Sequence, residues 1–116
     1  MMSENETTLR ERLEAIVCRA ELFGAEQMKI LGYTNFSLFH YGANWIHPKH
    51  LVIWICVQTD AEKDAVNSNS ELLASIRSHL AENGYPEEGV DEVYIGSESK
   101  ETVDRVSGGN WWYHFK

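Results

Sequence analysis

Three histidines, His40, His47 and His50, fall within eleven residues, and Cys56 follows six positions later. Imidazole and thiolate are zinc ligands, but a zinc site needs three or four donors converging on one point. His47 and His50 flank Pro48 in a loop, Cys56 lies inside an apolar run, and no acid is close in sequence. The pattern therefore predicts loop and strand-edge histidines, with no metal site and no cofactor. Cys56 also lacks the exposed, electropositive setting of a reactive thiolate, so core packing is expected for it. Nearer the C-terminus, Glu98, Glu101 or Asp104 could face His114 as an acid–base pair. No spacing fixes that geometry, and a solvated loop with surface ion pairs is the simpler expectation. Gly108-Gly109-Asn110 precedes an aromatic stretch, whereas a phosphate cradle leads into a helix N-terminus, so it is read as a turn. No catalytic residue is assigned.

Aromatic and acidic residues offer more to a binding function. Trp111 and Trp112 are adjacent, so in a strand they would face opposite sides of a sheet. Tryptophan and tyrosine are frequent anchors of protein interfaces. Residues 58–92 hold nine acids against only Lys63 and Arg77, which is most of the chain's net charge of −8. Such a balance disfavours nucleic acid as a partner, and a cluster of acids can steer a basic protein toward its site. The candidate binding residues are Trp45, His47, His50, Trp112 and His114, with Glu87, Glu88, Asp91 and Glu92 as the acidic set. A pocket is expected between the His47–His50 loop and the Asn110–His114 stretch, should the domain bind a small molecule or hydrolyse one.

These residues are positioned around His50–Asp60, in which Leu51 to Val57 are all apolar. The run is short, β-branched and aromatic, as expected of a central strand buried on both faces. Before it, Leu9, Leu13, Ile16, Val17, Ala20 and Phe23 form one helical stripe, with Thr8 and Glu11 spaced as a capping box. That helix either continues to Gly32 or breaks near Gly24, and the cost of an interior glycine favours the break. Phe36–Tyr41 reads as a strand pairing antiparallel with the central one across a loop. Thr59 and Glu62 open a further helix by a second capping box, Asn67–Ser70 interrupts it, and Leu73, Ile76 and Leu80 carry it to Gly84 and Pro86. Val90–Gly96 is expected as a third strand and Asn110–Phe115 as a fourth, with residues 97–107 open between helix and hairpin arm. The order α-β-β-α-β-β predicts an α+β two-layer sandwich, a four-stranded, mainly antiparallel sheet with helices on one face. One sheet face then needs cover, which implies a protein interface, including a homodimer.

At 116 residues, 43% of them hydrophobic, the chain fits a single domain over residues 1–116. No apolar run approaches the roughly 18 residues of a membrane span. The acidic, polar start Met1–Glu6 is unlike a secretory signal, which predicts a cytoplasmic protein. Cys18 and Cys56 lack metal or redox spacing and are expected to be free, buried thiols.

Three segments carry a resemblance: Asn44-Trp45-Ile46-His47-Pro48, Gln58-Thr59-Asp60-Ala61-Glu62-Lys63, and Glu101-Thr102-Val103-Asp104-Arg105 followed by Gly109-Asn110-Trp111-Trp112-Tyr113. Together they are similar to small single-domain bacterial proteins, over roughly residues 35–116, and the resemblance implies no particular activity. In size and charge alone the chain also resembles the immunity partners of bacterial toxins. That likeness implies a non-enzymatic inhibitor with an acidic surface.

Overall fold

The computed structural model describes residues 4–115, with side chains from Thr8 onward; Met1–Ser3 of the start read as cytoplasmic lies outside them. The first helix, α1 (Glu4–Ile30), runs unbroken through Gly24. A Cβ at Gly24 would stand 2.9 Å from Leu38 and 3.2 Å from Ile76. The glycine is therefore a point of close packing, not a break, and contact with the sheet and a second helix offsets its low propensity. Nor does the helix start at Thr8 as the Thr8–Glu11 spacing suggests, because the backbone is already helical from Glu4.

The loop after α1 leads to β1 (Ser37–Tyr41), and a 3-10 turn at Pro48–His50 leads into β2 (Val52–Val57). β1 and β2 pair antiparallel, Phe39 opposite Trp54. Thr59 then caps α2 (Asp60–Ser68) in a complete capping box with Glu62, and Asn69 caps α3 (Ser70–Glu82). A short α4 (Glu87–Val90) precedes β3 (Tyr94–Ser99), α5 (Lys100–Ser107) and α6 (Trp111–His114).

Among the described residues the sheet has three strands in the order β1-β2-β3, so β2 is central as expected, but the expected fourth strand is not among them. Asn110–Phe115 is helical because the Asn110 side chain accepts from the Tyr113 amide, which starts a turn where a strand was expected. The third strand also begins later than expected. The Arg77 guanidinium donates to the carbonyls of Val90 at 2.6 Å and Val93 at 2.8 Å, holding that segment in a turn. β3 pairs parallel with β2 because the helices α2, α3 and α4 intervene, a crossover that returns the chain to the same end of the sheet. The sheet is consequently mixed, not mainly antiparallel.

Register places Leu38, Ile53, Ile55, Val57 and Ile95 on one face. That face meets Leu13, Ile16, Val17 and Ala20 of α1, Val66 of α2 and Ile76 and Leu80 of α3, all buried. The opposite face carries Phe39, Tyr41, Trp54 and Tyr94, and it is covered in part by α6 rather than left to solvent. Helices thus flank both faces, a departure from the two-layer expectation that follows from the C-terminal segment folding back. Both cysteines are free, but only Cys56 is buried; Cys18 lies on the outward side of α1, away from the apolar stripe.

Candidate functional site

The second sheet face is a cluster of rings. Phe115 sits at its hub, with centroids 4.7 Å from Trp54, 5.4 Å from Phe39 and 6.1 Å from Trp111. The Trp54 indole donates to the Tyr41 hydroxyl at 3.0 Å, and Tyr94 packs 5.1 Å from Trp54. Between this cluster, the α1–β1 loop and α6 lies an open cleft of about 780 Å3. Its walls are Phe36, Phe39, Tyr41, Trp111, Trp112 and Phe115, and Asn35, Gln58 and Lys100 supply polar groups. Lys100 is held by Asp104 at 2.7 Å. Cys56 lies on the cleft wall, where burial raises its thiol to about 11, so it remains protonated and inert at neutral pH.

A polar network fastens this side of the molecule. Glu98 points from β3 toward α6 and is almost wholly buried. Its carboxylate accepts from Lys63 Nζ at 3.1 Å and the Ser99 amide at 2.9 Å, and it pairs with His114 Nε2 at 2.9 Å. Burial opposes the charge, but those bonds from His114, Ser99 and Lys63 prevail and hold the carboxyl below its usual range. The second ring nitrogen, His114 Nδ1, meets Ser107 Oγ at 2.8 Å. Of the acids weighed against His114, Glu98 is therefore the one that reaches it. Glu101 instead accepts from the Asp60 amide at 2.8 Å, and Asp104 holds Lys100.

The order Ser107–His114–Glu98 has the form of nucleophile, base and orienting acid. Acyl transfer also needs amide donors aimed at a developing oxyanion. Here the Gly108 and Gly109 amides bond to the Val103 carbonyl, and the Asn110 amide bonds to the Ser107 carbonyl. None of the three residues lines the cleft. What the arrangement does chemically is tie α6 to β3 and α5.

The ends of β2 and β3 are closed in the same way. Helices beginning after parallel strands commonly present a site for anions. Here Asp60 accepts from the Ser99 hydroxyl, from Thr102 at 2.6 Å and from Arg105 at 3.0 Å. Those donors, Ser99 and Thr102 first and Arg105 next, keep the Asp60 carboxyl well below its ordinary range. The chain's own carboxylates therefore occupy the place an anionic ligand would take.

The sequence candidates divide between the two ends of the sheet. Trp112 lines the cleft and is 71% exposed, while His114 anchors the helix that carries it. Trp45, His47 and His50 belong to the loop entering β2 and do not line the cleft. Trp45 packs against Arg10, whose guanidinium lies 3.8 Å over its ring. His47 accepts from the Lys49 amide at 3.1 Å and meets His50 edge-on at 6.0 Å. The exposed acids Glu87, Glu88, Asp91 and Glu92 lie in and just after α4, which packs on this same loop. Gly89 lets the helix approach, since a Cβ there would clash with the Pro48–Lys49 backbone. Tyr85 adds a hydroxyl donated to the Pro48 carbonyl at 2.6 Å, and burial pushes its phenol up to about 12. The four acids and the histidine loop are thus neighbours at one end, and Trp112 and the cleft lie at the other. His40 joins neither group. Among the described residues no three or more His, Cys, Asp or Glu side chains gather to hold a metal ion.

His40 has a separate role, clamping β1 to α1. Its Nδ1 meets Glu21 at 2.9 Å and its Nε2 meets Glu14 at 2.9 Å. The bond to Glu21 outweighs burial and, with Glu14, raises the imidazole from 6.5 to about 9. A raised value means the clamp stabilises fully below pH 6.5 and is lost as pH rises through 9. Stability is expected to fall by on the order of 2 kcal/mol across that interval, discounted for the solvent exposure of Glu14. Urea unfolding at several pH values checks this, and His40→Gln should flatten the slope.

Asn35, Phe36, Gln58 and Lys100 line the cleft although nothing in their local sequence marks them as site residues. Phe36 and Phe39 were visible only as strand residues, and nothing local signals that they would face α6. No helix is long and apolar enough to cross a membrane among the described residues. No protein-family model, curated protein or solved structure matches the chain.

Proposed function

We propose that this domain is a non-enzymatic protein-binding module that takes an apolar anchor of a basic partner into the aromatic cleft. The observation that carries this is the open, ring-lined cleft, with Trp112 71% and Tyr113 63% exposed on a helix that buried polar bonds hold in place. Rigid exposed aromatic rings are effective anchors because little side-chain freedom is lost on binding. The net charge of −8 supports a basic partner. Glu87, Glu88, Asp91 and Glu92 need not touch that partner, since steering acts over roughly a Debye length of ~10 Å and beyond at low salt. An immunity-type inhibitor of a basic toxin, acting in a cytoplasm that keeps both thiols reduced, fits this combination. A second reading, a small-molecule-binding or hydrolytic domain, draws support from the cleft's size, which is within the usual few hundred to ~1,000 Å3 of ligand pockets.

Binding kinetics on the partner recovered from source cells test the proposal. Association should slow as salt rises, and reversing all four acids to lysine should slow it about tenfold at low salt with dissociation unchanged. A partner that is acidic, or whose association ignores both salt and charge reversal, would overturn it.

A further inference from the structure

The two edges of the sheet are treated differently. Along β3, the Asn67 side chain accepts from the Ser97 amide at 2.7 Å and donates to the Ser97 carbonyl at 3.1 Å, so the edge is closed by an imitation of a strand. Along β1, the outer backbone groups have no hydrogen-bond partner among the described residues. An open edge is a template for another strand.

Beside that edge, α1 displays Glu11, Ala15, Cys18, Leu22, Ala25 and Lys29, a four-three-four-three-four spacing that forms one straight seam. Leu22 is 68% exposed. With β1 these residues line two shallow troughs, and Cys18 belongs to both. We propose that two copies of this chain pair through β1 and this face of α1, merging their sheets into one of six strands.

The order of residues along the seam identifies the occupant. Set two such helices antiparallel about a two-fold axis level with Ala20. Glu11 then faces Lys29 of the second copy, Ala15 faces Ala25, and Cys18 faces Leu22. Opposite charges meet at both ends, alanines meet inside them and Cys18 meets the exposed Leu22 near the axis, a self-complementary order that a foreign partner would not require. Glu14 and Glu21 lie between the seam and the sheet, where each is paired with His40, so the two copies do not bring bare like charges together. Homodimers use such isologous surfaces, in which one patch complements itself.

Sedimentation equilibrium of the full chain, up to about 1 mM, tests this. The wild type should show a monomer–dimer equilibrium. Glu11→Lys and Lys29→Glu should each weaken it about tenfold, because each reverses two exposed ion pairs per dimer, and the double variant should recover the wild-type constant. Leu22→Glu should give monomer with an unchanged circular dichroism spectrum. A wild type that stays monomeric across the range, or a dimer indifferent to Leu22→Glu and to the charge exchange, would overturn the proposal.

Discussion

Phe115→Ala is expected to lower the unfolding free energy by about 2–4 kcal/mol, the range for emptying an aromatic core position that is not fully enclosed. Phe115 is the only described residue whose ring contacts reach Phe39, Tyr41, Trp54, Trp111 and His114 together. Its loss removes the apolar half of the attachment of α6 and leaves the bonds of His114 to Glu98 and Ser107 to hold a four-residue helix. Such a helix has no independent stability, so Trp111 and Trp112 should lose their fixed positions as well. Urea unfolding gives the energy, and near-ultraviolet circular dichroism reports the ordered tryptophans. A change below about 1 kcal/mol with an intact aromatic spectrum would mean that α6 is held mainly by its polar bonds.

Trp112→Ala should do the reverse, weakening partner binding by roughly 30-fold or more, as an interface anchor worth about 2 kcal/mol or above, with little effect on folding. Trp112 is 71% exposed, so truncating it removes little buried area from the free protein. The loss should appear in the dissociation rate, since the acidic surface that governs encounter is unaltered. Surface plasmon resonance on the two proteins separates these rates. An unchanged dissociation rate would remove Trp112 from the contact.

Much of the architecture was legible where a local signal had one physical cause. The Leu51–Val57 run is apolar on both faces because the sheet really is covered on both, by α1 and α3 on one side and the C-terminal rings on the other. Thr59 with Glu62 is a helix start decided by a neighbour three residues away, and the polar Asn67–Ser70 stretch marks where α2 gives way to α3. Failures came where distant residues decide. Gly24 looks like a break unless Leu38 and Ile76 are known to lie against it. Ser97, Glu98 and Ser99 look too polar for a strand until Asn67, Lys63, His114 and Asp60 supply partners for them. Asn110–Phe115 alternates like a strand, yet one Asn110 cap turns it into a helix.

The candidate site divides on the same line. Trp112 stood out because adjacent tryptophans in a strand would face opposite sides of the sheet, so that the two need different cover. The acids were singled out from charge alone, and they lie at the other end of the sheet from the cleft. That Glu98 would be the carboxylate meeting His114 was one option among three, and only the fold-back of α6 selects it. The cleft itself was not legible near His47 and His50, because their loop enters β2 at one end while Ser37, Gln58 and Lys100 gather at the other.

The most direct measurement is an amide NMR titration of the isotope-labelled protein with its recovered partner. Binding through the aromatic cleft predicts the largest shifts and line broadening at 35–41, 56–58 and 110–115, together with the Trp111 and Trp112 indole signals, and only small changes across α3. Perturbations confined to other surfaces, with the indole signals of Trp111 and Trp112 unmoved, would contradict it.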